Sequence, residues 1–349
     1  MSASQARSQI SSHGSSTLTS RLLLVLAIAL GVTASSCGKR AGEKTGKVAF
    51  LLSTLQEERY KKDQAYFESE TKRIGLSSFT LSADNDNARQ LAQVEDALSR
   101  NATVLVIQPT DSAAAGSYVE RAHAAGAKVV AYDRSIPGAD FYVAHDSYRI
   151  GVLQAEEALK ATFGKGNYVL LDGQSGHSVA SEIARGYADT LRPYIEKGDV
   201  TVVVERNHDA WSPEQALETV EDAISKTKGN IQAILANNSG MARGAVQAVQ
   251  AAGLSGVFIA GADADAANVN YVCEKKQSIE ILKDIKPLAE AAASVAAALA
   301  QGKTPDAKVN AAGVPVVAVP VVLVTADNVK VVLVDSGFHI AASFPACKL

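Results

Sequence analysis

Six short polar clusters carry most of the chemistry available to this chain, and each follows an apolar, β-branched run. They are Ser53-Thr54 with Glu58-Arg59-Tyr60, Asp133-Arg134, Asp172-Gly-Gln-Ser-Gly-His177-Ser178, Asn237-Asn238-Ser239, Asp263-Ala-Asp265 and Lys283-Asp284. Short acids and amides interleaved with arginine and lysine suit a polyol. Vicinal hydroxyls present donor and acceptor pairs, which carboxylates, amides and guanidinium forks match two bonds at a time. Trp211, the single tryptophan, follows another such run in Asn207-His-Asp-Ala-Trp-Ser-Pro213, and an indole face stacks on the C–H face of a sugar ring. Each residue also has a plain structural reading. Asp and Asn at strand-to-helix junctions cap helices, Arg59 and Lys283 suit a charged surface, and Trp211 suits a core. Convergence of six strand ends is what favours a site.

Other chemistry fits poorly. Gly173-Gln-Ser-Gly-His177 contains Gly-x-Ser, but His177 stands where a nucleophile elbow needs its second glycine. The six histidines show no metal-ligand spacing, and Gly164-Lys-Gly166 lacks the Walker pattern. No metal and no cofactor are therefore expected. Asp133 and Asp263 are the carboxylates that could flank a glycosidic bond. Cationic neighbours keep such carboxylates ionised instead of raising one for acid catalysis, so no catalytic residue is assigned.

The elements that must bring these residues together read as α/β. Continuous Val/Ile/Leu runs such as Val48–Ser53, Thr103–Gln108, Lys128–Asp133 and Tyr168–Asp172 indicate strands covered on both faces. Amphipathic helical stretches alternate with them, many closed by glycine. Ten or more strands exceed one comfortable open sheet, so two doubly wound parallel-sheet lobes are expected. A TIM barrel is disfavoured by the same count. Ligands of such sheets bind beyond the carboxyl ends of the strands. The run Val314–Thr325 is too long for one buried strand. It reads as a strand in one lobe, a crossing near Val319-Pro320, and a strand in the other.

The chain has 349 residues, 47% hydrophobic and 20% charged, a normal composition for a folded protein with a core. Its 34 basic and 37 acidic residues leave a net charge of −3 without a basic block, so no nucleic-acid partner is expected. Residues 1–36 differ from the rest: Arg21 precedes the apolar run Leu22–Val32, which is too short to span a bilayer and fits a signal-peptide core. Ala34-Ser35-Ser36-Cys37 resembles a bacterial lipobox, with Ala34 where leucine is usual. The reading is a lipoprotein signal peptide over 1–36, a lipid on Cys37 and a tether over 37–46. An ordinary secretory signal with a coincidental cysteine is the alternative. Cleavage removes Arg7 and Arg21 and no acid, leaving 32 basic against 37 acidic residues, a balance of −5. The folded part is expected in the periplasm or on the outer face of the cytoplasmic membrane, away from soluble ATP and NADH.

Several stretches carry a family resemblance: Glu58-Arg59-Tyr60-Lys-Lys-Asp63, Val104-Leu-Val-Ile107, Val130-Ala-Tyr-Asp133-Arg134, Gly166-Asn-Tyr168, Asp209-Ala-Trp211-Ser-Pro-Glu214, Ala236-Asn-Asn238, Gly261-Ala-Asp263-Ala-Asp265 and Ser336-Gly-Phe-His339. In order and spacing, from Lys47 to about His339, the chain resembles the periplasmic sugar-binding proteins of ABC transporters, most of all the D-xylose-binding ones. The resemblance implies a periplasmic binding protein type I fold and a monosaccharide ligand. It implies that Arg59, Asp133 and Arg134 reach the sugar from one lobe. From the other come the stacking Trp211, Asn238 and Asp263, with Lys283 near the hinge. One departure stands out: where the family has asparagine, this chain has Ser178, preceded by His177. That puts xylose in doubt more than the class.

The expectation is a monomeric lipoprotein that closes two lobes around a sugar and delivers it to an ABC permease. Lobe 1 is assigned 47–138 plus 284–319, and lobe 2 139–283 plus 320–349, with crossings around 134–140, 283–285 and 316–322. An exported α/β enzyme acting on glycosides is the rival class, and a sugar sensor feeding a chemoreceptor or kinase would use the same site. Cys273 and Cys347 both fall in lobe 2, and an exported compartment permits them to pair; two free, partly buried thiols are the alternative.

Overall fold

The computed structural model describes residues 46–56, 58–310 and 313–349. The signal sequence, Cys37 and all but the last residue of the tether lie outside the described residues.

Along the chain come β1 (Lys47–Leu52), α1 (Glu58–Arg73), β2 (Ser78–Ser82), α2 (Asn87–Ser99), β3 (Ala102–Ile107), α3 (Gly116–Ala124), β4 (Lys128–Tyr132) and β5 (Phe141–His145). Then follow α4 (Ser147–Ala161), β6 (Gly166–Asp172), α5 (Ser178–Glu196), β7 (Val200–Asn207), α6 (Pro213–Thr227), β8 (Ala233–Ala236), α7 (Ser239–Ala251), β9 (Phe258–Ala262), α8 (Ala266–Cys273) and β10 (Ile279–Leu282). The chain ends with α9 (Ile285–Ala300), β11 (Lys308–Val309), β12 (Pro315–Val319), β13 (Val322–Val324) and short helical turns. Lys330–Val334, although β-branched, is one of those turns, so the tail is less strand-rich than its composition suggests.

Two sheets result, one of seven strands in the order β11-β12-β5-β4-β3-β1-β2 and one of six in the order β13-β10-β9-β8-β6-β7. β11 and β13 pair antiparallel, each at an edge, and the remaining ladders are parallel. Side chains alternate across a strand, so the apolar run of β1 feeds two cores at once. Val48, Phe50 and Leu52 pack with Phe67 of α1 and with Leu288, Ala292 and Ala296 of α9. Ala49 and Leu51 pack with Val94 of α2 and with Tyr118 and Ala122 of α3. The second sheet repeats the plan, with Tyr168 and Leu170 facing α4 and α5 and Val169 and Leu171 facing α6 and α7. Phe50 stacks on Phe67 at 4.3 Å between ring centroids and meets Tyr132 edge-on. Truncating Phe50 to alanine should cost about 3–5 kcal/mol.

Three segments join the lobes. The first crossing runs from His145 into α4, the second from Lys283 into α9, and the third through Pro320 between β12 and β13. The expected first crossing at 134–140, with lobe 2 beginning at 139, is corrected. Phe141–His145 pairs with β4 and β12 inside the first sheet, so lobe 1 runs to residue 145. An apolar pentapeptide such as β5 satisfies either sheet equally, so its composition alone does not assign it to one. The crossings are tied to one another: His145 Nε2 donates to the carbonyl of Asp284 (3.0 Å), and Asp146 N donates to that of Val319 (3.4 Å). In the second lobe a disulfide joins Cys273, at the end of α8, to Cys347. It closes the tail over a small core of Val269, Leu282, Val324, Leu333 and Phe344.

Candidate functional site

The carboxyl ends of both sheets face one another, and the polar clusters stand there. Arg59 occupies the first turn of α1 and is the centre of the site. Its Nη2 donates to Asp133 Oδ1 at 2.8 Å, its Nε lies 3.5 Å from Asp63 Oδ2, and its Nη1 lies 3.5 Å from Asp263 Oδ1 across the lobes. Lys283, arriving on the second crossing, lies 2.7 Å from that same Asp263 oxygen. One guanidinium and one ammonium thus face three carboxylates, Asp63, Asp133 and Asp263, and the last belongs to the other lobe.

Asp133 and Asp263 each sit just past a strand with left-handed or positive backbone angles, φ 61° and 108°. Backbone bonds hold both turns. Asp133 N donates to Val143 O, and Asp263 N donates to Ile281 O. Burial alone would raise the Asp133 carboxyl, but Arg59, Lys283 and Arg134 outweigh it and hold it well below the usual range. Arg134 donates to Pro109 O (2.8 Å) and to the Tyr60 hydroxyl (3.0 Å). Asp63, fully buried, accepts from the Tyr132 hydroxyl. Burial pushes its carboxyl up to about 6 against the pull of Arg59.

The second lobe presents Trp211 on a short 3-10 turn whose Ala210 and Trp211 both have positive φ, 50° and 59°. The ring lies against the backbone of Gly173: a Cβ there would come within 2.3 Å of the ring. Any other residue at 173 would displace the indole. The indole N–H donates to His177 Nδ1 at 3.0 Å. Burial, with Arg134 nearby, lowers the His177 imidazole to about 4, so it is neutral at ordinary pH. Asn238 is the N-cap of α7, accepting from Met241 N at 2.8 Å. The capping reading therefore holds for its oxygen, and its amide N–H group is what it can offer a ligand.

Seven residues singled out in the sequence, Arg59, Asp133, Arg134, Trp211, Asn238, Asp263 and Lys283, line one central cleft together with Tyr60 and Val179. At its centre the cleft holds about 30 Å³, and on one flank it continues into a cavity of about 470 Å³ bordered by Phe338 and His339. Ser178 is the exception and the correction. It starts α5 outside this lining, and its Oγ accepts from Ser135 N of the first lobe at 2.8 Å, so its hydroxyl serves the lobe contact. Asp172 also stays inside its own lobe, with Asn237 Nδ2 donating to it at 3.3 Å; burial beside Glu205 pushes its carboxyl up to about 7. Sequence reasoning names Tyr60 only within the Glu58-Arg59-Tyr60 cluster and misses Asp63 as part of the site. The spacing Arg59-x-x-x-Asp63, one helical turn, was the available signal. Among the described residues no group of three or more His, Cys, Asp or Glu is placed to hold a metal ion, and no helix is long and apolar enough to cross a membrane.

Comparison with known proteins agrees with this architecture. A periplasmic binding protein domain matches residues 48–304. The D-xylose-binding periplasmic protein of Haemophilus influenzae is 35% identical over 91% of this chain and 96% of its own length. The Escherichia coli protein of the same name is 34% identical over 86% and 92%. A carbohydrate transporter solute binding protein of Chloroflexus aurantiacus, solved in complex with D-glucose, superposes with a TM-score of 0.80 at 29% identity, covering 87% of this chain and all of that one. The two parallel-sheet lobes, the three crossings and the match across most of the chain place this protein in the periplasmic binding protein family, with the type I fold.

Proposed function

We propose that this protein is the extracytoplasmic solute-binding component of an ABC transporter, capturing D-xylose or a related pentose or hexose between its lobes. The observation that carries this reading is the composition of the cleft: fork donors, carboxylates, an amide and one indole, contributed by both lobes to a single lining. Hydroxyls of a pyranose find acceptors at Asp133 and Asp263 and donors at Arg59, Arg134, Lys283 and Asn238, while Trp211 covers a C–H face. The relatives named for D-xylose support a pentose. The relative solved with D-glucose supports hexoses as the neighbouring class.

About 30 Å³ at the centre is room for one water, so a sugar enters only when the lobes part about the three crossings. The closed arrangement then satisfies the sugar from both sides, and ligand shifts the population toward it. Its cationic neighbours keep Asp133 ionised and so unsuited to the general-acid role of glycoside hydrolysis, and the raised carboxyl of Asp63 is fully buried behind the lining against Arg59 and Tyr132. We assign Cys37 as the lipid-bearing residue that tethers a monomer at the outer face of the membrane, and the partner as an ABC permease. Titration calorimetry against a panel of pentoses, hexoses and polyols tests the reading. One tight monosaccharide ligand is expected, with D-xylose the leading candidate. Heat only from non-sugar ligands, or turnover of a glycoside, would overturn it.

A further inference from the structure

His177 is absent from the cleft lining, yet it touches both lobes and the indole at once. It is 4% exposed. Its Nε2 lies 2.7 Å from the carbonyl oxygen of Thr110, which belongs to the first lobe. A carbonyl only accepts, so Nε2 carries the proton and Nδ1 is the bare nitrogen. That bare nitrogen is the one that accepts the Trp211 indole N–H. The rings lie 5.9 Å apart between centroids, tilted by 32°. The next residue, Ser178, adds the bond from Ser135 N, so consecutive residues at the start of α5 each join one lobe to the other.

We infer that His177 is a positioning residue that links lobe closure to the orientation of Trp211, acting as a latch through Nε2 and as a ring clamp through Nδ1. This rests on the sugar-binding reading for its purpose and deepens it. When the lobes part, the Thr110 carbonyl moves away from Nε2. Closure restores the bond, which fixes the imidazole plane and aims the bare Nδ1 at the indole. The stacking surface is then held most firmly in the closed form, where a sugar needs it. A neutral ring with one defined tautomer is required; a doubly protonated ring would hold the latch and repel the indole N–H.

Two substitutions separate the two bonds. Glutamine places an amide N–H near the position of Nε2, and asparagine places an oxygen near the position of Nδ1. His177→Gln therefore keeps the latch and loses the clamp, and His177→Asn keeps the clamp and loses the latch. Since Trp211 is the single tryptophan, fluorescence excited on the red edge, where the ten tyrosines do not absorb, reports its surroundings alone. With the tightest sugar of the panel, His177→Asn should release it about tenfold faster, in line with one lost buried hydrogen bond, and its bound-form emission should shift as well, because nothing then fixes the plane of the indole's acceptor. His177→Gln should stay within about threefold of wild-type release and shift the bound-state emission. Unchanged release and emission in both variants overturns the inference. So does equal loss of both readouts in both variants with native circular dichroism, the mark of a merely structural histidine. If the wild type binds no sugar, the functional reading fails by itself. The clamp is then judged on ligand-free emission, where an unchanged spectrum in His177→Gln refutes it.

Discussion

From the first lobe Arg59 and Asp133 reach the cleft already bonded to each other, with Arg59 also beside the α1 carboxylate Asp63, and Arg134 reaches it bonded to Tyr60 and Pro109. Trp211, Asn238 and Asp263 reach it from the second lobe on backbone turns, two of them left-handed or otherwise at positive φ, with few side-chain bonds among them. The difference follows from charge. A buried guanidinium is tolerable only beside its counter-ions, so the first lobe builds its half of the site as a network. Ring and amide carry no such demand, and the second lobe sets them by backbone conformation and close packing. The first lobe supplies most of the fixed charge, and the second supplies one carboxylate, Asp263, and the shape.

Asp133→Ala is the harshest test of that contrast. It strips Arg59 of its 2.8 Å partner in a buried setting, and calorimetry should show sugar affinity falling by about 3–5 kcal/mol. Asp263→Ala should cost less, about 2 kcal/mol, because its side chain is 20% exposed and water can replace it. The reverse ranking would mean that the second lobe, not the first, holds the essential charge. Gly173→Ala touches shape alone. With no room for a Cβ against the indole, affinity should fall by about 1 kcal/mol with a change in tryptophan emission, and unfolding should be little affected.

The smallest effect concerns how each lobe responds to pH. Glu280, buried beneath the Asp263 turn, accepts from Ser239 Oγ (2.8 Å), Ala264 N (3.1 Å) and Gln277 Nε2 (2.6 Å). Burial nonetheless pushes its carboxyl up to about 8. A carboxyl raised on folding contributes stability that is present below its unfolded value and is lost as pH rises through the folded one. Glu280→Gln should therefore match wild type near pH 5, gain over it progressively as the pH rises to about 8, and hold a constant margin above that in urea unfolding. Asp133 has the opposite sign: its lowered carboxyl adds stability above the usual carboxylate range and surrenders it only in strong acid. A parallel pH profile for Glu280→Gln and wild type would erase this second contrast between the lobes.

Much of this was legible in the residues. Continuous apolar runs announce strands covered on both faces, and the clusters that follow them stand at the strand ends, where Arg59, Asp133, Trp211 and Asp263 come to share one cleft. The failures are just as physical. Phe141–His145 is apolar enough for either sheet, and nothing local in it says which neighbour it will pair with. Ser178 offers a hydroxyl, and whether that hydroxyl faces a sugar or an orphan N–H of the opposite lobe depends on how closely the lobes meet. Asp63 and His177 act through other side chains, Arg59 and Trp211, and such roles leave a trace in sequence only as a helical spacing or an unusual neighbour.

The three crossings have a consequence for how the chain comes to be folded. One face of the first sheet is covered by α9, and its β5 edge is completed by β12. Both are made only after the whole of β6 to β10. A growing chain can form β1 to β5 early, yet it keeps Val48, Phe50, Val104 and Val130 uncovered on the α9 side until residue 300 has been added. Contacts this distant in sequence close slowly. The first lobe, which begins the chain, thus waits for residues 285–319 before it is complete, after most of the second lobe has been made.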